Sequence, residues 1–156
     1  MGWENSGSRQ GKRAFFRRLS MSEPWYIDGL RFTCTQCGNC CTGAPGFVWV
    51  TPAEVKAIAK HLDVPVYQFR AMHTREVGRR RTLREKPNGD CIFWERGQGC
   101  TVYEARPTQC RTWPFWESNT ESPEAWKDMQ QGCPGAGTGQ LYTAEEITSR
   151  VRSMRV

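Results

Sequence analysis

The sequence predicts a small, irregular, cysteine-rich α+β domain in which short strands and hairpins are interspersed with several short helices. Three observations predict it. Leu, Ile, Val and Phe make up only 25 of 156 residues, a thin aliphatic complement for a core, although seven Trp add bulky apolar area. Eight cysteines are present, and four of them fall within eight residues. Helix-start signals, a hydroxyl cap followed by proline or by a glutamate three residues on, recur from Thr51 onward and mark helices of a few turns.

In chain order, residues 1–22 read as a basic, flexible tail ahead of a single domain over 23–156. Arg9, Lys12, Arg13, Arg17 and Arg18 face only Glu4 as an acidic neighbour. The composition superficially fits a transit peptide, and a solvated arm or an upstream start-site artefact is the blander reading. Ala14, Phe15, Phe16 and Leu19 are spaced for one helical turn. No apolar run of useful length occupies the first thirty residues, so no signal peptide is expected. Charges, Gly or Pro interrupt every apolar stretch, so no transmembrane span is expected either. Both points indicate a cytoplasmic chain.

The segment Trp25–Phe32 reads as strand, turn and strand, with Asp28-Gly29 as the turn. Phe47-Val48-Trp49-Val50 is a compact β-prone run. Thr51, Pro52 and Glu54 then form an N-cap, a first-turn proline and a capping box, and Val55, Ile58, Ala59 and Leu62 follow as one apolar stripe. Asp63 is expected to cap a second helix carrying Val66, Phe69 and Met72. Residues 74–88 hold Arg75, Arg79, Arg80, Arg81, Arg84 and Lys86 and read as an exposed hairpin or loop. Two turn-and-strand units, Asn88–Trp94 and Gln98–Tyr103, suggest a hairpin with Cys91 and Cys100 near its mouth. A short helix from about Pro107 presents Cys110 and ends before Pro114. Ser122-Pro123 opens a helix with Trp126 and Met129. Thr143 and Glu146 box the last helix, with Ile147, Val151 and Met154 on its apolar face. The glycines of Pro134–Gly139 read as a flexible turn.

The chemistry concentrates in Cys34-Thr35-Gln36-Cys37-Gly38-Asn39-Cys40-Cys41. Crowded small sulfurs cannot build a core, but a C-x-x-C loop folds back to present two thiolates to one metal. Gly38 supplies the backbone freedom. An even cysteine count also suits disulfides, but a reducing compartment favours metal. Cys34, Cys37, Cys40, Cys41, Cys91, Cys100, Cys110 and Cys133 are therefore the candidate ligands. Eight thiolates exceed the four of one zinc or one cubane cluster. Cys34, Cys37 and Cys40 are read as the nucleus of one centre. Cys40 and Cys41, if the chain is extended there, project to opposite sides and serve two neighbouring centres, with Cys41 either assigned to the second or bridging the two. The triplet with a remote Cys133-Pro134 leans the choice towards iron–sulfur over zinc. Arg106 and Arg111 flank Cys110 and can offset thiolate charge, or else are surface arginines, one bridging to Glu104. Tyr103 and Trp113 read as core. His61 and His73 lie away from the cysteines and are excluded as ligands.

Phe32–Cys41, Gly89–Phe93, Cys100–Phe115 and Cys133–Gly135 together resemble the CxxCxxCC cysteine-cluster family of zinc- or iron-chelating domains. The resemblance spans residues 30–140 and implies a metal-binding role, structural or redox. Some members carry a flagellin lysine N-methylase assignment, so a metal-dependent protein-modifying enzyme is the implied alternative. No nucleophile–base pair, phosphate loop or methyl-donor motif is visible to support catalysis. A third reading takes the net charge of +6 and the Arg79–Arg81 loop as the site of an anionic or protein partner. Nucleic acid is disfavoured as that partner, because no aromatic residue interleaves with these arginines.

Overall fold

The structure is a computed structural model and describes residues 23–154. The basic tail and its helical turn lie outside the described residues.

Trp25–Asp28 form consecutive turns, closed by the Ile27 amide on the Pro24 carbonyl (3.0 Å) and the Gly29 amide on that of Tyr26 (2.8 Å). The first of the two expected strands does not form, because these amides are spent inside the turns. The second does, as β1 (Leu30–Phe32). Its antiparallel partner is β6 (Gln140–Tyr142), near the far end of the chain, with Arg31 opposite Leu141.

The middle of the chain packs locally. α1 (Pro52–His61) starts as expected, with Thr51 and Glu54 in a reciprocal capping box and Val55, Ile58 and Ala59 buried. α2 (Val66–His73) follows Pro65 and has no side-chain cap. Asp63 does not cap it. It takes a left-handed backbone, φ 53°, and its amide closes the end of α1 on the Lys60 carbonyl. β2 (Thr74–Val77) and β3 (Arg80–Leu83) form the basic hairpin. The β-prone run lies along β3, with the Val50 amide on Arg81 (3.0 Å) and the Leu83 amide on Val48 (2.9 Å). β4 (Trp94–Glu95) and β5 (Gly99–Cys100) make the small cysteine hairpin.

Five further elements complete the order: a 3-10 turn at Tyr103–Ala105, then α3 (Thr108–Thr112), α4 (Glu117–Thr120), α5 (Pro123–Gly132) and α6 (Ala144–Ser153). Ser122 caps α5, and Thr143 with Glu146 boxes α6. Among the described residues no helix is long and apolar enough to cross a membrane. Short antiparallel pairs beside helices make the fold a mixed α+β one.

The apolar interior falls into two clusters. The first joins Val50, Val55, Ile58, Ala59, Phe69, Leu83, Phe93 and Val102. The second joins Phe32, Phe115, Trp126, Cys133, Ala136, Ile147 and Val151. In the second, Phe115 stacks on Trp126 (centroids 5.7 Å apart) and meets Phe32 edge-on at 6.0 Å. The segment expected as a flexible turn is a fixed layer of this half. Ala136 bridges Phe32, the Thr33 amide reaches the Gly135 carbonyl (3.1 Å), and the Gly137 amide reaches that of Arg31 (2.8 Å). A methyl group at Gly135 would collide with the Thr33 carbonyl, so glycine there permits the close crossing.

α3 is held from both sides. The Thr108 amide donates to Glu54 (2.6 Å), and Gln109 accepts from the Trp49 amide (2.9 Å) and donates to the Phe47 carbonyl (2.8 Å). From the other half, Arg150 donates to the Arg111 carbonyl (2.9 Å). Cys110 rides on this bridging helix.

Candidate metal centre

The cysteine loop is clamped at several points. Gly38, at φ +84°, presses against the Trp94 indole, where any side chain would overlap the ring. The Cys41 amide turns back to the Gly38 carbonyl (2.7 Å), and the Cys91 amide donates to the Cys41 carbonyl (2.7 Å). Asn39 Nδ2 donates to the Gly132 carbonyl (2.9 Å) at the end of α5. Within the first C-x-x-C, Gln36 is left-handed at φ 52°, and its amide points at Cys34 Sγ, 3.4 Å away.

This clamping brings the far cysteines to the loop. All eight cysteines line one cavity of about 430 Å³, and all are free thiols. The cavity lies between the two apolar clusters. Cys91 and Cys100 pack against the first, and Cys34 and Cys133 belong to the second. Cys37 and Cys40 are exposed and Cys133 is buried, with the other five between. Among the described residues no three His, Cys, Asp or Glu side chains are already drawn together around one ion position.

Cys40 and Cys41 do not project to opposite sides. Their sulfurs are 3.8 Å apart, because residues 38–41 turn rather than extend, and in a turn adjacent side chains lose the alternation of a strand. The two thiols ionise unequally. A hydrogen bond from Cys41 holds the Cys40 thiol down to about 7, with a smaller contribution from the Arg106 charge, while Cys41 is pushed up by that bond and by burial. Burial pushes Cys110 up to about 12, and the Cys91, Cys40 and Cys100 charges add to it. Burial likewise raises Cys91 and Cys100. The cavity thus accepts one thiolate readily and resists the next ones. A cation among the sulfurs reverses that balance, since a coordinated thiol ionises.

Of the two flanking arginines, Arg106 is the one whose charge reaches the thiols, favouring ionised Cys40, Cys100 and Cys110. It lies over the Tyr103 ring, 3.3 Å from its centroid, and its Nε donates to the Tyr103 carbonyl (2.6 Å). Arg111 also lines the cavity but spends its guanidinium on the Arg106 carbonyl and on Thr108 Oγ1 (3.1 Å). Tyr103 and Trp113, expected in the core, are half-buried and line the cavity. Burial, followed by a hydrogen bond to Cys34, raises the Tyr103 phenol. Trp94 is the wall residue that sequence reasoning passed over, since nothing in the chain marks it as the partner of Gly38. Neither histidine lines the cavity. His73 packs between Phe69 and Phe93, 5.2 Å from each ring.

The donor set suits soft and borderline metals. Thiolate sulfur is the ligand of structural zinc and of iron–sulfur clusters, and eight thiols lining one cavity, with an arginine to offset their charge, fit either. A family model, CxxCxxCC, described as a "putative zinc- or iron-chelating domain", matches residues 33–134. No solved structure matches the chain.

Proposed function

This chain belongs to the CxxCxxCC family of zinc- or iron-chelating domains, and from that premise we propose that its eight-cysteine cavity holds an iron–sulfur centre. The observation that carries the reading is the convergence of all eight cysteines, from five separate stretches of chain, on one cavity. Cavity size favours a polynuclear centre over one zinc ion. A single tetrahedral site uses four sulfurs, and about 430 Å³ bounded by eight of them leaves donors and space beyond that. Cys34, Cys40, Cys41, Cys91, Cys100 and Cys110, which sense one another's charge, form the inner set. Cys37 and Cys133 complete it from the exposed and buried ends.

When bound, such a centre supplies one-electron redox capacity and a cross-link between distant segments. The chain's own part is to gather the thiols, to hold Arg106 as their counter-charge, and to shield the inner wall with Leu83, Phe93 and Val102. Anaerobic purification followed by iron, zinc and acid-labile sulfide analysis on one sample tests the reading. Matched iron and sulfide with visible absorption is expected. Stoichiometric zinc in a colourless protein replaces the cluster with a structural zinc site, and a metal-free protein with paired thiols overturns both.

A further inference from the structure

Across α3 from the cysteine cavity lies a second concavity, of about 1150 Å³, that shares no lining residue with it. Its walls are the start of α1, Val66 and Arg70 of α2, the tip of the β2–β3 hairpin, Thr108 and Gln109 of α3, and the end of α6. Five cations line it, Lys56, Arg70, Arg79, Arg80 and Arg81, against two acids, Glu54 and Glu76. Both acids are already engaged. Glu54 accepts from the Thr51 and Thr108 amides. Although burial opposes its charge, these hydrogen bonds keep its carboxyl below the usual range. Glu76 pairs with Arg81 and, at 3.8 Å, with Arg70. Among the described residues Lys56, Arg79 and Arg80 have no acidic partner.

The fold also adds what the linear sequence lacks at these arginines. Phe47 and Trp49 stack with centroids 4.8 Å apart and planes 15° from parallel. Arg80 lies over the Trp49 ring at 4.1 Å, and Arg75 over the Phe47 ring at 5.1 Å. Phe47 remains 45% exposed. Aromatic rings interleaved with guanidinium planes, beside a cationic groove, make the surface on which unpaired bases stack while their phosphates are neutralised. An acidic peptide would use the charge but not the flat stack.

We propose that this groove binds single-stranded nucleic acid, with Lys56, Arg79 and Arg80 on the phosphates and the Phe47–Trp49 stack with Arg75 as the base platform. Contact is to backbone and ring faces, so binding is tolerant of sequence. The site is separate from the metal centre, and the two readings stand or fall independently.

The test is fluorescence anisotropy of a labelled twenty-residue oligothymidylate with the full, metal-loaded chain, at 50 and 200 mM NaCl. Binding that weakens with salt is expected. Arg79→Glu with Arg80→Glu should weaken it about tenfold or more at 50 mM. The milder Arg79→Ala with Arg80→Ala should lower the log–log salt slope by about 1.4, about 0.7 per lost phosphate contact on a single strand. Unchanged metal content and circular dichroism exclude misfolding. No binding at 50 mM NaCl overturns the proposal, as does binding that the Arg79 and Arg80 variants leave intact. Polyglutamate competing as well as unlabelled oligothymidylate would reassign the groove to an acidic protein segment.

Discussion

The two apolar clusters are built on different principles. The first draws all its buried residues from Val50 to Val102, each element packing on a near neighbour in sequence, mainly through aliphatic side chains on α1 and the β2–β3 hairpin. The second joins Phe32 to Ile147 and Val151, across nearly the whole described chain, through a ring stack centred on Phe115 and a glycine crossing at Thr33. Local contacts cost little loop-closure entropy, whereas joining distant segments costs more. Two of the thiols, Cys34 and Cys133, sit where that cost falls. Cys34 lies two residues after β1 and Cys133 precedes the glycine layer, so a metal held by both would close the same long loop that the second cluster must close. The comparison teaches that a centre ligated by Cys34 and Cys133 would support the second half more than the first.

The largest expected effect follows. Removing the metal from the folded chain with a chelator under reducing conditions should cost stability on the order of 10 kcal/mol, the scale of a structural thiolate site. The loss should be uneven. Hydrogen exchange should show amides of the β1–β6 pair, such as Phe32 and Tyr142, losing protection first, while Ile58 and Ala59 of α1 retain more. Equal loss in both halves would mean that the chain folds as one cooperative block and the division is only geometric.

Next in size are the central rings. Phe115→Ala and Phe69→Ala each empty a fully buried site and should each cost about 3–5 kcal/mol. They should differ in what else they do. Phe115→Ala should lower metal affinity along with stability, because it loosens the half that brings Cys133 to the loop. Phe69→Ala should lower stability with a smaller change in affinity. Denaturant melts and competition with a colorimetric chelator on the same variants separate the two. Gly135→Ala sharpens the point without touching a ring, since the added methyl group meets the Thr33 carbonyl and should weaken metal retention more than a loop glycine such as Gly43, where nothing lies within reach.

The same contrast explains how much of the molecule was legible in its sequence. The first half announces itself through local signals: the Thr51–Glu54 box, the Val55–Ile58–Ala59 stripe and the arginine hairpin all formed. Thr143 and Glu146, and Ser122 before Pro123, were equally readable because capping depends on three or four adjacent residues. The pairing of β1 with β6 was not, since three residues such as Leu30–Phe32 carry no mark of a partner over a hundred positions away. Asp63 failed for a related reason: its left-handed turn is set by how α1 ends, and its residue type suits a cap as well as a turn. At the site, the cysteines themselves were visible as a chemical set, while the Gly38–Trp94 contact and the 3.8 Å approach of Cys40 to Cys41 depend on the closed loop. The aromatic stack beside Arg80 was hidden likewise, because Trp49 and Arg80 meet only through the fold.

A smaller effect comes from the caps, which test whether local signals stabilise both halves alike. Thr51→Ala and Thr143→Ala each remove a boxed cap and should cost about 1 kcal/mol. Thr51→Ala carries an added consequence, because Glu54 also receives the Thr108 amide and so ties α1 to the helix bearing Cys110. Its melt should therefore show the larger loss, and restoring the hydroxyl with Thr51→Ser should recover most of it.

The smallest effect is a pH dependence confined to the first half. His73 packs between Phe69 and Phe93, and its Nδ1 is buried without a hydrogen-bond partner among the described residues. Burial depresses its pKa below the ordinary 6.5, so the folded chain holds the ring neutral while the unfolded chain is free to protonate it. Where the unfolded state binds more protons, stability rises with pH. The contribution is therefore complete above about pH 6.5 and is lost as pH falls through that value towards the lower folded pKa. The thiols also titrate as metal is released in acid, so the measurement compares wild type with His73→Phe at matched metal occupancy, between pH 7.5 and 5.5. The wild type should lose more stability over that interval than the variant, with the difference appearing in α2 and the β2–β3 hairpin and not in the β1–β6 pair. Parallel curves would show that the acid sensitivity belongs to the metal site alone, and the distinction between the halves would then rest on the chain-closure effects.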